Sequence, residues 1–576
     1  MKSLSIQQLI DGLYKSVSRF PLAILSAILL NFLIIYGIET DIDPSIWYYR
    51  SIHGAQLGVP LFIALTLFSE SKNFNAIKGT TIKFIGVVLL VIYLFTLPET
   101  LTFINFSRWI LLSILVLLLV FIAPSLHKGH ELHFWVLSKE TILIAIECLF
   151  YGLVIGLGLF VAISAIHFLF DIHISSNRYP EVMSICLITL STLFFGGKMP
   201  AVAPSQTDVF DYPSILKNFT QFILIPLVLL YLIILYVYGA QIIINQNWPK
   251  GYVSYLSIGF SILGLMTIIL IYPIRNDINN KWIPLYNKVF LYTLFPIIFL
   301  FCAAIWRRIS EYGITENRYY LIALGLWLTF ISVYTLIKRD KFIKMIPISL
   351  AVLCVLVAFG PFSAFNVSKK SQFNRLKLIG EKNHWIDENG HWVNGIEKDV
   401  PIKDINESVS IVKYLIKNHG YETLQPLFKD SVSYYVKNID GKYAQSRVFL
   451  GKMNLSKIHH DESQRFNLKN QHYSDLEISG YNYYFTQDLP YGRITNQSNL
   501  QISKEKDIQL IINNEDESLL GELIIGEKKY TIPFPLEEEM NYKHKDFLIS
   551  FDFIDYTKKG NQPIQINNMK FNLFIK

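Results

Sequence analysis

The stretch "EYGITENRYY", residues 311–320, with Arg307 and Arg308 just before it, packs five charges into a short connection between two long apolar runs. Arg307, Arg308 and Arg318 offer guanidinium forks, which suit phosphate or carboxylate. Glu311 and Glu316 are the nearest opposite charges and can neutralise two of the three, and Thr315 and Asn317 complete the candidate polar site. Two readings stand side by side. In one, the stretch is a helical hairpin turn. Gly313 ends the preceding helix, Thr315 caps the next, Glu316 favours its first turn, and Tyr319 and Tyr320 sit as interfacial aromatics do. In the other, the arginines form a site for an anion or a partner.

Other candidate chemistry is sparser. Glu147 and His167 are ionisable residues inside an apolar run, where such side chains are costly and point to function. Twenty residues of one helix place them about 30 Å apart, so they cannot share a site. Between them Gly152, Gly156 and Gly158 form a GxxxG surface for close helix contact, which favours a packing role. His127, His130 and His133 in "HKGHELH" do not converge on a straight helix, and Gly129 weakens one there. His459, His460, Asp461 and Glu462 are adjacent ligands, a weak pattern for a metal. Glu537, Glu538 and Glu539 follow Pro533 and Pro535 and look like a solvated turn. No HExxH, phosphate loop, GxSxG or dinucleotide fingerprint occurs, so no cofactor, metal or catalytic residue is assigned.

The elements that must position these groups follow from composition. Of 576 residues 52% are apolar and 17% charged, against roughly a quarter charged in ordinary globular proteins. Cys148, Cys186, Cys302 and Cys354 all lie in apolar runs and read as small buried hydrophobes. Apolar stretches near the 20 residues a bilayer requires fall at 20–38, 52–68, 81–97, 109–124, 141–170, 180–195, 219–244, 253–274, 287–306, 319–337 and 345–362. With residues 1–19 inside, the inner flanks carry 17 Lys and Arg against 7 on the outer ones, up to the flank after the last run. The N-terminus is therefore expected to be cytoplasmic and the C-terminal part periplasmic. Residues 366–576 hold 28 basic and 28 acidic side chains, with no basic patch for nucleic acid. Within them Val409, Val412, Leu415 and Ile416 form a helical stripe, and from about 440 short β-branched and aromatic runs predict strands, with a hairpin at Gly526.

The expected fold is an α-helical polytopic membrane domain of about 11 transmembrane helices, followed by a soluble α+β domain with a β-rich C-terminal part. Its divisions are 1–19 (cytoplasmic segment), 20–365 (multi-pass domain), 366–440 (linker and helical segment) and 441–576 (β-rich domain).

Three stretches resemble a known family: residues 212–254 ("YPSILKNFTQF…" to "WPKGYVS"), 307–327 ("RRISEYGITENRYYLIALGLW") and 346–376 ("IPISLAVLCVLVAFGPFSAFNVSKKSQFNRL"). The string "EYGITENRY" is the most specific of these, and "LEISGYNYYF" also fits. Together they are similar to the bacterial multi-pass proteins grouped as domain of unknown function 4153. The resemblance implies a bacterial inner-membrane protein with a polar C-terminal domain, and it brings no catalytic residues. The bilayer is the expected partner, with an envelope protein or lipid-linked ligand beside it. The functional expectation is an envelope-associated scaffold or sensor; the alternatives are a transporter, or a transferase acting on a lipid-linked substrate.

Overall fold

The computed structural model describes residues 6–40, 45–98, 102–126, 131–200, 212–245, 252–275, 282–338, 342–393, 401–437, 439, 441–455, 463–469, 481–489, 497–503, 507–513, 520–533, 541–559 and 565–576. They form two compact units, residues 1–392 with 410–446, and residues 393–409 with 447–576.

The first unit is helical. Its elements are α1 (Ile6–Arg19), α2 (Pro21–Thr40), α3 (Ile46–Ser71), α4 (Ala76–Phe95), α5 (Phe103–Ile122), α6 (Glu131–Leu169) and α7 (Arg178–Lys198). They continue with α8 (Ser214–Ile242), α9 (Tyr252–Ile271), α10 (Trp282–Tyr312), α11 (Glu316–Lys338), α12 (Met345–Ala358) and α13 (Ala364–Lys382). Starts are set locally: Pro21 opens α2, and the side chains of Ser45, Asn75, Thr102 and Ser363 accept from backbone N–H groups in the first turns of α3, α4, α5 and α13. Among the described residues ten helices, α2 to α11, are long and apolar enough to cross a membrane. Large side chains such as Phe84, Leu89, Phe150 and Val161 are exposed on them, as lipid-facing residues are. The eleventh expected span is shorter. Helix α12 has 14 residues, about 21 Å, because the backbone leaves the helix at Phe359 and turns through Gly360 at φ +80°.

Hydrogen bonds tie the helix ends into two rims. At one, Arg19 at the end of α1 forks onto Glu70 at the end of α3 (both contacts 2.7 Å) and donates to the Met199 and Pro200 carbonyls after α7. There too Lys344 N, just before α12, donates to Glu131 at the start of α6 (3.1 Å). At the other rim, Asn177 and Arg178 before and at the start of α7 reach Ile38 O and Glu39 at the end of α2. Arg108 near the start of α5 donates to Ala358 O at the end of α12 (3.2 Å). Short as it is, α12 thus runs between the same two sets of ends as its longer neighbours.

After α13 the chain forms α14 (Ile402–His419), in which Val409, Val412, Leu415 and Ile416 are all buried, followed by the short helices α15 (Val432–Val436) and α16 (Lys442–Lys452). Among the described residues the second unit holds nine antiparallel strands: β1 (Ser463–Lys469), β2 (Tyr483–Leu489), β3 (Gln497–Ser503), β4 (Ile508–Asn513), β5 (Leu520–Ile525), β6 (Lys528–Pro533), β7 (Asn541–Lys543), β8 (Phe547–Lys559) and β9 (Gln565–Ile575). One sheet runs β1-β8-β9-β2 with β7 on β8, and the other runs β3-β4-β5-β6. Alternate residues Phe547, Ile549 and Phe551 of β8 and Phe571 and Leu573 of β9 meet Leu510 and Leu523 of the other sheet in one apolar core. Gly526, at φ +59°, makes the two-residue β5–β6 hairpin expected from its position.

Candidate functional site

The stretch 307–320 is the turn between α10 and α11, and it is held from two directions. Gly313 takes φ +68° and its N–H closes the last turn of α10 on Ile309 O (2.8 Å), as a C-terminal glycine does. A Cβ there would also lie 2.8 Å from Gln372 Nε2, so the glycine lets α13 approach. Thr315 opens α11 through its carbonyl, which accepts from Tyr319 N (2.9 Å). Asn317 is exposed.

Helix α13 meets the turn along one stripe, Ser368, Ser371, Gln372 and Arg375, at i, i+3, i+4 and i+7. Ser371 Oγ accepts from Ile314 N (2.9 Å). Gln372 donates to the carbonyls of Tyr312 (2.9 Å) and Ile314 (3.1 Å). Arg375 donates to the carbonyls of Ser310 (3.2 Å) and Glu311, while Arg318 takes those of Tyr312 (3.1 Å) and Gly313 (2.7 Å). Two guanidinium groups therefore satisfy the carbonyls that α10 leaves open at its C-terminus, where positive charge is favourable. Arg307 pairs with Glu311 one turn on (3.0 Å), both side chains about half exposed. Arg308 makes no ion pair among the described residues, and it and Arg375 lie close enough to Arg318 to repel it.

Glu316 corrects the sequence reading. It does not neutralise an arginine. Its side chain is 3% exposed and turns inward to two hydroxyl donors and an imidazole. Ser368 Oγ donates to Oε1 (2.9 Å), the Tyr414 hydroxyl donates to Oε2, and His419 Nε2 lies 2.9 Å from Oε1. Tyr414 and His419 come from α14, so one carboxylate at the start of α11 gathers α13 and α14. Burial, followed by the Glu316 charge beside it, pushes the Tyr414 phenol well above its ordinary range. Sequence reasoning missed Ser368, Ser371, Gln372, Arg375, Tyr414 and His419. The polar stripe of α13 is visible in "SKKSQFNR", but nothing local in the sequence aims it at residue 313.

Acid, imidazole and hydroxyl invite comparison with a hydrolytic triad, but the connectivity differs. In a triad the imidazole bridges acid and nucleophile, whereas here the acid is central and Ser368 bonds to it directly. The cluster is built to hold elements together.

The intramembrane candidates fall apart as their spacing requires. Glu147 pairs with Lys198 at the end of α7 (2.6 Å) and accepts from the Tyr151 hydroxyl (2.5 Å). His167 sits at the other end of α6, its Nδ1 2.7 Å from Ile172 O in the following loop. Gly152 and Gly156 pack against α7: a Cβ on Gly152 would lie 2.5 Å from Cys186 O, and one on Gly156 2.8 Å from Met183 Sδ. Gly158 faces open space. Cys148, Cys186 and Cys354 are buried, whereas Cys302 points out of the bundle. Of the histidine runs, His127, His130, His459 and His460 lie outside the described residues, as do Asp461, Glu462 and the run Glu537–Glu538–Glu539. Among the described residues no group of three or more His, Cys, Asp or Glu converges as metal ligands do.

A bundle with an apolar exterior, ten membrane-length helices and a strand-rich second unit define a multi-pass helical membrane protein. The family model for the domain of unknown function 4153 (DUF4153) matches residues 45–379, more than half the chain and all of the hairpin and α12. The chain belongs to the DUF4153 family. The match stops before the strands, so "LEISGYNYYF" lies outside it. An uncharacterised protein of Pasteurella multocida (strain Pm70) is 24% identical over 336 residues, 57% of this chain and 55% of that protein. The chain thus spans about half the length of this relative. No solved structure matches.

Proposed function

We propose that this protein is a polytopic protein of the bacterial inner membrane whose periplasmic C-terminal part serves as an envelope-associated sensor or scaffold, coupled to the membrane helices through the Glu316 clasp. The observation that carries the reading is the buried carboxylate itself. A hairpin needing only to turn has no use for a charge removed from water and shared among α11, α13 and α14. Such a cluster is bistable in its consequences: satisfied, it locks three elements, and broken, it releases them together.

Two observations support the side. Lys and Arg favour the flanks continuous with residues 1–19 by 17 to 7. Helix α12 runs between the two rims, which supports counting it as an eleventh crossing and, with it, a C-terminal part on the side opposite α1. The test is complementation of a deletion strain under envelope stress, by detergent or high osmolarity. Glu316→Gln is expected to accumulate normally in the membrane and fail to restore growth. Full restoration by a chain truncated after residue 392 would overturn the coupling role.

A further inference from the structure

Two tyrosine hydroxyls and one guanidinium near the α12 rim lack the partners their chemistry calls for. Tyr93 of α4 and Tyr320 of α11 both have buried hydroxyl oxygens without a hydrogen-bond partner among the described residues; Tyr320 lies beside Ser107 outside good bonding geometry. Both act electrostatically on Arg108 of α5, which is half-buried. Its guanidinium lies over Phe365 (5.1 Å) and Phe359 (5.9 Å), and the Tyr93 ring meets the same Phe359 edge-on at 6.4 Å. Arg108 has no carboxylate in ion-pair contact among the described residues.

Capping accounts for only part of this. Arg108 Nε donates to Ala358 O, the last carbonyl of α12, as arginines near helix ends do. That single bond leaves both terminal nitrogens available, and it gives neither tyrosine a partner. Buried polar groups are rarely left unpaired, and each such case calls for a physical cause. The groups share one character: a fixed positive charge and two hydroxyls free to donate, with no carboxylate in ion-pair contact; the nearest acid, Glu316, lies one turn back on α11, close enough to act electrostatically on Tyr320 and already held by the clasp. That set is complementary to an oxyanion with several acceptor oxygens. Its depth is also informative. Phe95, Phe103, Phe106 and Phe362, near the same helix ends, are exposed, as aromatic residues are at the level of lipid headgroups.

We propose that Arg108, Tyr93 and Tyr320 form a binding site for the phosphate group of a membrane lipid, with the guanidinium and both hydroxyls as its donors. The site uses none of the Glu316 clasp and stands whether or not the coupling role does.

The test is thermal unfolding of the purified full-length protein in detergent, with dioleoylphosphatidylglycerol, dioleoylglycerol or inorganic phosphate added. Phosphatidylglycerol is expected to raise the melting temperature and dioleoylglycerol, which has the same chains without phosphate, is not. Equal shifts from the two lipids would overturn the proposal, as would no shift from any addition. A shift from inorganic phosphate matching that of the phospholipid would assign the same donors to free phosphate and refute the lipid source. Because Arg108→Gln also removes the α12 cap, the decisive variant is Tyr93→Phe with Tyr320→Phe. It keeps the rings and should weaken phosphatidylglycerol binding about tenfold while leaving the lipid-free melting temperature unchanged. Unchanged lipid affinity in that variant would refute the site.

Discussion

Glu316 is the residue on which the hairpin turns. Removing its side chain leaves Ser368, Tyr414 and His419 facing an empty, buried space. Breaking a buried charged cluster in this way costs about 3–5 kcal/mol, so Glu316→Ala should lower the melting temperature of the purified protein sharply. Glu316→Gln keeps an acceptor for one or two donors and should cost about 1–3 kcal/mol. Arg307→Ala breaks only an exposed pair, worth about 0–1 kcal/mol, whereas Arg318→Ala uncaps the Gly313 carbonyl, Tyr312 keeping Gln372, and should cost about 1–3 kcal/mol in the same measurement. A larger loss from Arg307→Ala than from Arg318→Ala would refute this ranking. Tyr414 adds a pH dependence. Its folded-state pKa is raised, so its contribution is complete below the ordinary tyrosine pKa of about 10 and is lost as pH rises past it. Tyr414→Phe should therefore lose less stability than the parent between neutral and strongly alkaline pH. What the sequence made legible at this scale was local: Gly313 as terminator and Glu316 in a first helical turn. Which groups Glu316 meets was not, because Tyr414 is 98 residues away and no periodicity encodes a tertiary partner.

At the scale of elements, contacts made through glycine were the most legible. A glycine costs a helix interior about 0.5–1 kcal/mol relative to alanine, and in an apolar helix close approach of a neighbour offsets that cost. Gly152 and Gly156 of α6 do seat α7, and Gly152→Val would drive a methyl into the Cys186 carbonyl. That variant is expected to reduce the amount of folded protein recovered in detergent, while Gly158→Val, facing open space, should not. Gly313→Ala combines a left-handed backbone with the Gln372 contact and should destabilise by about 1–2 kcal/mol. Equal tolerance of valine at 152 and 158 would refute the α6–α7 contact. The length of α12 was less legible. Hydropathy continues through Phe359 and Phe362, but the helix ends at Ala358, where the turn through Gly360 and the capping contact with Arg108 mark that end. For the strands, alternation and Gly526 were readable, while the division into two sheets depends on pairings between distant segments such as β2 with β9.

For the whole molecule, one buried acid is proposed to couple the membrane helices to the C-terminal part. The proposed side rests on α12 as an eleventh crossing beside ten membrane-length helices: a reporter fused after residue 400 should then behave as periplasmic and one fused at residue 340 as cytoplasmic. The same side for both would remove α12 from the crossings. The clasp is tested most directly by hydrogen exchange on the full-length protein in lipid nanodiscs, comparing the parent with Glu316→Gln. If one carboxylate holds three elements, amides of the 310–318 turn, α13 and the C-terminal half of α14 should all exchange faster together. Faster exchange confined to the first turn of α11, with α13 and α14 protected as in the parent, would contradict the clasp and leave the hairpin a turn.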